Sequence, residues 1–184
     1  MNIKMLKALI AGLVLSVSSF ANAGLIVNGA IESDGANSTL DHTFFEVLTA
    51  GLFEITLTST DDPEMNLLFS SSAGVLGAFI ENDDDDGAGL SSFISINLNV
   101  GYYALINGEF AVSNSEVGFL HVNAENPSNP YTLNITGDAS LIGTRTGNLD
   151  GSYTESGFTQ VPEPSTLAIF ALGIMGLAAR RFKK

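Results

Sequence analysis

Short runs in which apolar and polar residues alternate, separated by turn residues, recur along the central part of this chain. The clearest example is residues 53–58, where Phe53, Ile55 and Leu57 fall on one face of an extended strand. Similar short runs recur between clusters of Gly, Asn, Ser and Thr, and no long run has the 3.6-residue period of a helix. The central part of the chain therefore predicts an all-β domain.

Nine such runs give the predicted strands. The runs at residues 42–48 and 53–58 are joined through Thr49-Ala50-Gly51, which predicts a hairpin. This number of short strands is typical of an antiparallel β-sandwich, jelly-roll-like, and a closed barrel is the alternative. The nine strands cover residues 25–31, 42–48, 53–58, 66–70, 75–80, 93–98, 102–106, 119–123 and 131–136.

Charge and composition exclude several classes of protein. The 184 residues include 7 Lys and Arg against 20 Asp and Glu, for a formal charge of −13, and no Cys. A chain this acidic lacks the basic residues that neutralise phosphates, which argues against nucleic acid as a partner. Without Cys there is no disulfide scaffold, thiolate zinc site or cysteine nucleophile. All but one of the acidic residues lie between Gly24 and Val161, where Arg145 is the single basic residue.

Residues 1–23 have the order of a secretory signal peptide. Lys4 and Lys7 precede an apolar run, and Ala21 and Ala23 form an A-x-A cleavage site before Gly24. The pattern predicts a signal helix that directs export and is then removed.

A second apolar segment, at residues 167–179, lies near the C-terminus. As a helix it would span about 20 Å, against about 30 Å of hydrocarbon, but Ser165 and Thr166 can extend it and basic side chains can snorkel. We therefore predict a transmembrane helix here. The basic cluster that follows should stay cytoplasmic by the positive-inside rule. It consists of Arg180, Arg181, Lys183 and Lys184.

This end of the chain resembles the PEP-CTERM sorting signal of Gram-negative bacteria. The motif, the apolar helix and the basic cluster occur in the same order. The resemblance implies passage through the inner membrane by the export machinery, transient anchoring there, and recognition by an exosortase, a membrane-embedded transpeptidase-like protease. It also implies delivery to the cell surface or the extracellular polymer matrix. An ordinary tail anchor that is never cleaved is the alternative. The motif residues are Val161, Pro162, Glu163, Pro164 and Ser165.

The body of the chain, over residues 40–106, resembles the bacterial pre-peptidase C-terminal (PPC-like) β-sandwich modules. The resemblance implies a non-catalytic accessory module for secretion, stability or matrix contact. It rests on the runs at residues 41–47, 51–57, 82–84, 90–98 and 101–103.

Four segments follow from these patterns: a signal peptide at 1–23, a β-sandwich domain at 24–139, a spacer at 140–161 and the sorting signal at 162–184. The spacer is predicted because residues 140–160 are rich in Gly, Thr and Ser and have few large apolar side chains. A last weak strand is the alternative for this segment.

The main candidate binding site is an acidic run ending at Gly87. Its residue types match the first positions of a calcium-binding EF-hand loop, but Leu90 and Phe93 stand where that loop needs later oxygen ligands, so an EF-hand is excluded. A looser Ca²⁺ site that recruits Glu81 or the acidic loop at 61–64 is one interpretation, and a solvated acidic turn is the other. No further cofactor is indicated. The run consists of Asn82, Asp83, Asp84, Asp85 and Asp86.

Catalytic motifs give little support for an enzyme. G-x-S-x-G, H-E-x-x-H and the P-loop pattern do not occur, and His42 and His121 both fall in predicted strands. Together with the resemblance to the sorting signal, which implies delivery to the surface or matrix, this predicts an exported, non-enzymatic surface or extracellular-matrix protein associated with exopolysaccharide or biofilm. The alternatives are a calcium- or carbohydrate-binding matrix module and a secreted hydrolase.

Overall fold

The computed structural model describes residues 24–71, 74–113, 115–122 and 129–156. These residues form β-strands joined by turns and contain no helix. The predicted signal helix and sorting signal lie outside them. The strands are β1 (Leu25–Ile31), β2 (Asn37–Thr39), β3 (Asp41–Val47), β4 (Gly51–Ser59), β5 (Pro63–Ser70), β6 (Leu76–Asp83), β7 (Ser92–Leu98), β8 (Gly101–Glu109), β9 (Leu120–Val122), β10 (Asn129–Thr136), β11 (Ala139–Gly147) and β12 (Tyr153–Ser156).

The strands form two main antiparallel sheets. The four-stranded sheet has the order β1-β10-β4-β7, and the six-stranded sheet has the order β12-β11-β3-β8-β5-β6. The short strands β2 and β9 pair with each other. Most connections between strands of the two main sheets cross from one sheet to the other. The prediction of an all-β, antiparallel fold is confirmed for the described residues, and the closed-barrel alternative is wrong because each sheet keeps two edges.

The hydrophobic core lies between the two sheets. Phe53, Ile55 and Leu57 are almost fully buried, as their alternation predicts, and they face side chains of the six-stranded sheet such as Phe45 and Leu105. A second, smaller cluster includes Leu40, Leu68, Ile106 and Val112. The alternating pattern of the sequence is therefore the pattern of core contact.

The predicted hairpin between residues 42–48 and 53–58 is wrong. Strand β3 pairs with β8 and β11, whereas β4 pairs with β7 and β10 in the other sheet. The loop between β3 and β4 carries the chain from one sheet to the other. The apolar faces of the two strands therefore meet across the core, and their edges do not pair.

The prediction of a spacer at 140–161 is corrected for its described part. Strand β11 pairs with β3 through a bulge between Leu141 and Gly143, and β12 pairs with β11 at the edge of the sheet. A side chain at Gly147 would collide with the backbone carbonyls of Phe119 and Leu40. Small residues are frequent in this segment partly because other backbone segments lie against it.

Candidate functional site

The predicted acidic run lies at the end of β6 and in the loop that follows. Asn82 and Asp83 are the last residues of β6, and Asp84, Asp85 and Asp86 follow in the loop to β7. The Asp83 carboxylate accepts hydrogen bonds from the backbone N–H of Asp86, at 3.1 Å, and of Phe93, at 2.6 Å. The Asp83 side chain therefore connects the start of the β6–β7 loop to the beginning of β7.

Asn82 has a structural contact of its own. Its side-chain amide donates to Oε1 of Glu64 on the neighbouring strand β5, at 3.4 Å. Glu64 is only 7% exposed, and this burial raises its pKa to about 7, although hydrogen bonds from the backbone of Val112 and Ala111 oppose the shift. Asp84 contributes to the raised pKa of Glu64 through its negative charge.

A second acidic loop, between β4 and β5, lies against the first. Burial raises the pKa of Asp62, and the charges of Asp84, Asp85 and Asp61 raise it further. Oδ1 of Asp62 is buried and has no hydrogen-bond partner among the described residues. The fold thus brings together the two loops from which the sequence analysis expected the ligands of a looser calcium site, at residues 61–64 and 82–86.

Hydrogen bonds tie these two loops to each other. The buried hydroxyl of Ser92 in β7 lies within hydrogen-bond distance of two carbonyl oxygens, one of Pro63 at the start of β5 and one of Asp84 in the β6–β7 loop. Asn129 donates to Oδ2 of Asp61 at 3.3 Å. These contacts keep the backbone segments that carry the carboxylates close to each other.

Within the described ranges, no three His, Cys, Asp or Glu side chains come close enough together to hold a metal ion. Carboxylates from the two loops influence one another electrostatically without converging on one point. A calcium site would need further oxygen ligands, such as the loop carbonyls, which Ca²⁺ accepts. Calcium binding by Asn82–Asp86 therefore stays a prediction.

The two histidines are built into the packing. His42 is 1% exposed, stacks on Phe119 at a centroid distance of 4.3 Å, and donates from Nε2 to the carbonyl of Gly118 at 2.8 Å. Burial lowers its pKa to about 4, so its imidazole is neutral near pH 7. His121 is also buried, and its Nδ1 lies 2.9 Å from Oε1 of Glu116.

Arg145 makes several contacts on the outer face of the six-stranded sheet, beside β12. Its Nε contacts Oε1 of Glu155 at 2.9 Å, and its guanidinium lies over the rings of Phe44 and Tyr153 at 4.8 and 5.4 Å. Another guanidinium nitrogen donates to the carbonyl of Gly74 at 2.7 Å. This side chain fastens the last described strand to the body, and nothing in its local sequence indicates that role.

A buried polar pair that sequence reasoning missed links the two sheets. The hydroxyl of Tyr131 in β10 donates to Oδ2 of Asp41 in β3 at 2.8 Å, and the backbone N–H of Gly147 donates to Oδ1 at 3.1 Å. Burial raises the pKa of Asp41 to about 6 in spite of these two hydrogen bonds. The pair is a structural feature of the core.

The remaining predicted sites, Ala21 and Ala23 and the residues from Val161 to Lys184, lie outside the described residues. Across the part of the chain that is described, no helix is long and apolar enough to cross a membrane. The placement of the signal and sorting segments thus comes from the sequence alone.

Comparison with known proteins identifies the C-terminal segment. Residues 160–184 match the PEP-CTERM protein-sorting motif, which confirms the predicted sorting signal. Such a motif implies export and C-terminal processing by an exosortase at the membrane of Gram-negative bacteria. No curated protein matches the chain.

Two solved structures show distant similarity to the body of the chain. The pre-peptidase C-terminal domain of collagenase from Bacillus anthracis has a TM-score of 0.39 and 13% identity, over 61% of this chain and 89% of that domain. The Yersinia pseudotuberculosis-derived mitogen has a TM-score of 0.36 and 15% identity, over 64% of this chain and 94% of the mitogen. Similarities this distant assign no activity.

Proposed function

From the premise that residues 160–184 carry a PEP-CTERM protein-sorting motif, we propose that this chain is an exported, non-enzymatic surface or extracellular-matrix protein. An exosortase cuts it near Pro162-Glu163-Pro164, and the β-sandwich is the part that is delivered. The motif is the observation that carries the proposal. We also propose association with exopolysaccharide or biofilm, which rests on the resemblance of the C-terminus to the PEP-CTERM sorting signal.

The structure of the body supports a role without catalysis. His42 is buried, neutral near pH 7 and stacked on Phe119, and His121 is paired with Glu116. Nε2 of His42 and Nδ1 of His121 thus serve hydrogen bonding, and the His42 ring also serves packing. Asp41, a buried carboxyl with a raised pKa, is held by Tyr131 and Gly147 inside the core.

The test is C-terminal processing in a Gram-negative host that has an exosortase. Replacing Glu163 by Gln removes the charge of the motif, and Glu32→Gln, at an exposed position far from it in sequence, is the matched control. We expect the unprocessed form to accumulate with Glu163→Gln and in a host that lacks the exosortase, but not with Glu32→Gln. Normal processing in the host without the exosortase would overturn the proposal.

Calcium binding by the body is a second candidate function. The observation that favours it is the approach of the β4–β5 loop to the β6–β7 loop, which places Asp62 within the field of Asp84 and Asp85. A cation would relieve that repulsion. The weak affinity typical of extracellular modules calls for millimolar Ca²⁺ in the test. Equal melting temperatures in calcium and in chelator would exclude this function.

A further inference from the structure

The strand registers give the sandwich two different ends. At one end Val47 pairs with Gly101, Gly51 with Leu98, and Phe69 with Tyr103, so the β3–β4, β5–β6 and β7–β8 loops lie together. We call this the apolar end because five large apolar side chains are exposed there. They are Leu48 at 49%, Leu52 at 58%, Phe69 at 50%, Val75 at 64% and Val100 at 62%.

The opposite end carries the carboxylates. Asn107, near the end of β8, pairs with Asp41 and Met65, and Met65 pairs with Asp83, so the β4–β5 and β6–β7 loops meet there. We call this the acidic end, defined by Asp61, Asp62, Asp84, Asp85 and Asp86. Leu90, Phe110, Val117, Val122 and Leu149 are also exposed at or beside this end, so the two ends differ more in charge than in apolar exposure. The apolar end has Asp138 in its loops and Glu46 and Glu54 on the adjoining strands.

The chain leaves the body in the direction of the apolar end. Strand β11 runs from Ala139, which pairs with Val47, toward the acidic end, and β12 returns, with Ser156 opposite Thr144. From Thr144 to Ala139 is about 16 Å of strand. Residues 157–161 can span at most about 18 Å when fully extended. Pro162 therefore cannot lie far beyond the level of the apolar end.

The point of exit is fastened to the body. Glu155 in β12 pairs with Arg145 at 2.9 Å, and the ring of Tyr153 stacks on Phe119 at 4.3 Å. Arg145 also donates to the carbonyl of Gly74, in the loop that carries Val75. One side chain thus links the last described strand to a loop of the apolar end.

We propose that the apolar end docks on the lipid surface while the chain is still tethered through its sorting segment. This inference rests on the membrane anchoring in the proposed function. Exposed apolar side chains gain by leaving water for the membrane interface, and anionic lipid repels the carboxylates of the other end. A short tether gives a high effective concentration, so an apolar patch too weak to bind alone is sufficient.

The test measures the depth of each end in a membrane. The full chain is inserted into vesicles of equimolar phosphatidylethanolamine and phosphatidylglycerol. Because the chain has no Cys, single nitroxide labels can be placed with Val100→Cys and Leu52→Cys at the apolar end. Leu90→Cys is the matched control, since Leu90 is an equally exposed apolar residue at the acidic end.

For each label we compare relaxation by oxygen, which partitions into lipid, with relaxation by a water-soluble nickel chelate. We expect the ratio of oxygen to nickel relaxation to be several-fold higher at positions 52 and 100 than at position 90. Equal ratios at the two ends would overturn the docking. Strong dipolar coupling between labels at 100 on different molecules would also overturn it, because a second copy would then cover the apolar end.

A separate readout distinguishes failure of the docking from failure of the anchoring. Protease protection of the sorting segment reports whether it is inserted in the bilayer. If that segment is protected while all labels are equally water-exposed, the docking is wrong and the proposed anchoring stands. If the segment is fully digested, the anchoring fails, and the docking that depends on it fails too.

Discussion

Tyr131 in β10 donates its hydroxyl hydrogen to Oδ2 of Asp41 in β3, at 2.8 Å, and so joins the two sheets by a polar contact inside the core. Asp41 is 3% exposed and Tyr131 is 5% exposed. Burial raises the pKa of Asp41 to about 6, and it also raises the pKa of the Tyr131 hydroxyl, beside the Asp41 carboxylate. A buried carboxylate of this kind depends on its hydrogen-bond donors.

Removing the tyrosine hydroxyl should therefore destabilise the body. We expect Tyr131→Phe to lower the free energy of unfolding by about 1–3 kcal/mol at neutral pH, because Asp41 loses a donor in a buried site. Urea unfolding of residues 24–161 gives this value. Tyr102→Phe, at a partly exposed position of β8, is the control and should stay within about 0.5 kcal/mol of the wild type. Equal losses in the two variants would contradict the role of the pair.

Two raised carboxyl pKa values set the pH dependence of stability. Burial raises the pKa of Asp41 to about 6 and that of Glu64 to about 7, both above their ordinary values. At these two carboxyls the folded state binds protons more tightly than the unfolded state, so stability falls as pH rises from about 4 through 6 and 7. The lowered pKa of His42, about 4, acts in the opposite direction between about pH 4 and 6.5 and offsets only part of this fall. We expect a higher melting temperature at pH 5 than at pH 8.

The Glu64→Gln variant isolates one of these two groups. Its side chain cannot ionise, so the decrease of melting temperature between pH 5 and pH 8 should become smaller than in the wild type. Glu81→Gln, on the exposed edge strand β6, serves as the control and should keep the wild-type slope. A melting temperature that rises from pH 5 to pH 8 in the wild type would refute the assignment.

Loss of Arg145 should loosen β12 more than it weakens the body as a whole. The guanidinium contacts Glu155, Tyr153 and the carbonyl of Gly74, and it is partly exposed, so its ion pair alone contributes little. We expect Arg145→Gln to speed hydrogen exchange of the amides of β12, with a smaller effect in Glu155→Gln, which keeps the ring contacts. Unchanged exchange in both variants would show that β12 is held by its backbone pairing alone.

The positions of most strands could be predicted because alternate side chains along each strand are buried in the core. Residues 53–58 alternate, and Phe53, Ile55 and Leu57 are buried as that pattern requires. The partner of each strand could not be predicted, because the same alternation suits a hairpin and a crossing between sheets. The false hairpin between β3 and β4 has this origin.

Strands β11 and β12 were missed for a different reason. Gly147 must be small because the backbones of Leu40 and Phe119 crowd it, and both are distant in sequence. The side chains that hold β12 also contact residues outside its own segment. A Gly/Thr/Ser-rich sequence therefore resembles a spacer when its packing partners are unknown.

The acidic site was predictable in part. The sequence identified both loops, at residues 61–64 and 82–86, and the strand registers place them at the same end of the sandwich. Glu64 is buried and accepts hydrogen bonds from the backbone of Ala111 and Val112. This burial could not be predicted from the adjacent sequence, because a charged residue on a strand is usually exposed to solvent.

If calcium binds beside Asp62, the order of the melting temperatures of the wild type and the Asp62→Asn variant should reverse when Ca²⁺ is added. Burial and the charges of Asp84, Asp85 and Asp61 all raise the pKa of Asp62, so its ionised form is disfavoured in the fold. In chelator, Asp62→Asn should melt at a higher temperature than the wild type. In millimolar Ca²⁺ the order should reverse, because the variant lacks a ligand. An order that is unaffected by Ca²⁺ would remove the candidate site, and Asp150→Asn, an exposed turn residue, controls for net charge.

If this chain is a substrate for C-terminal sorting, the mass of the mature protein records the cut. Surface or extracellular protein would be purified from the native host and its termini mapped by mass spectrometry. We expect a chain that begins at Gly24 and lacks every peptide beyond about Pro164. Recovery of surface protein that retains Arg180, Arg181, Lys183 and Lys184 would contradict it.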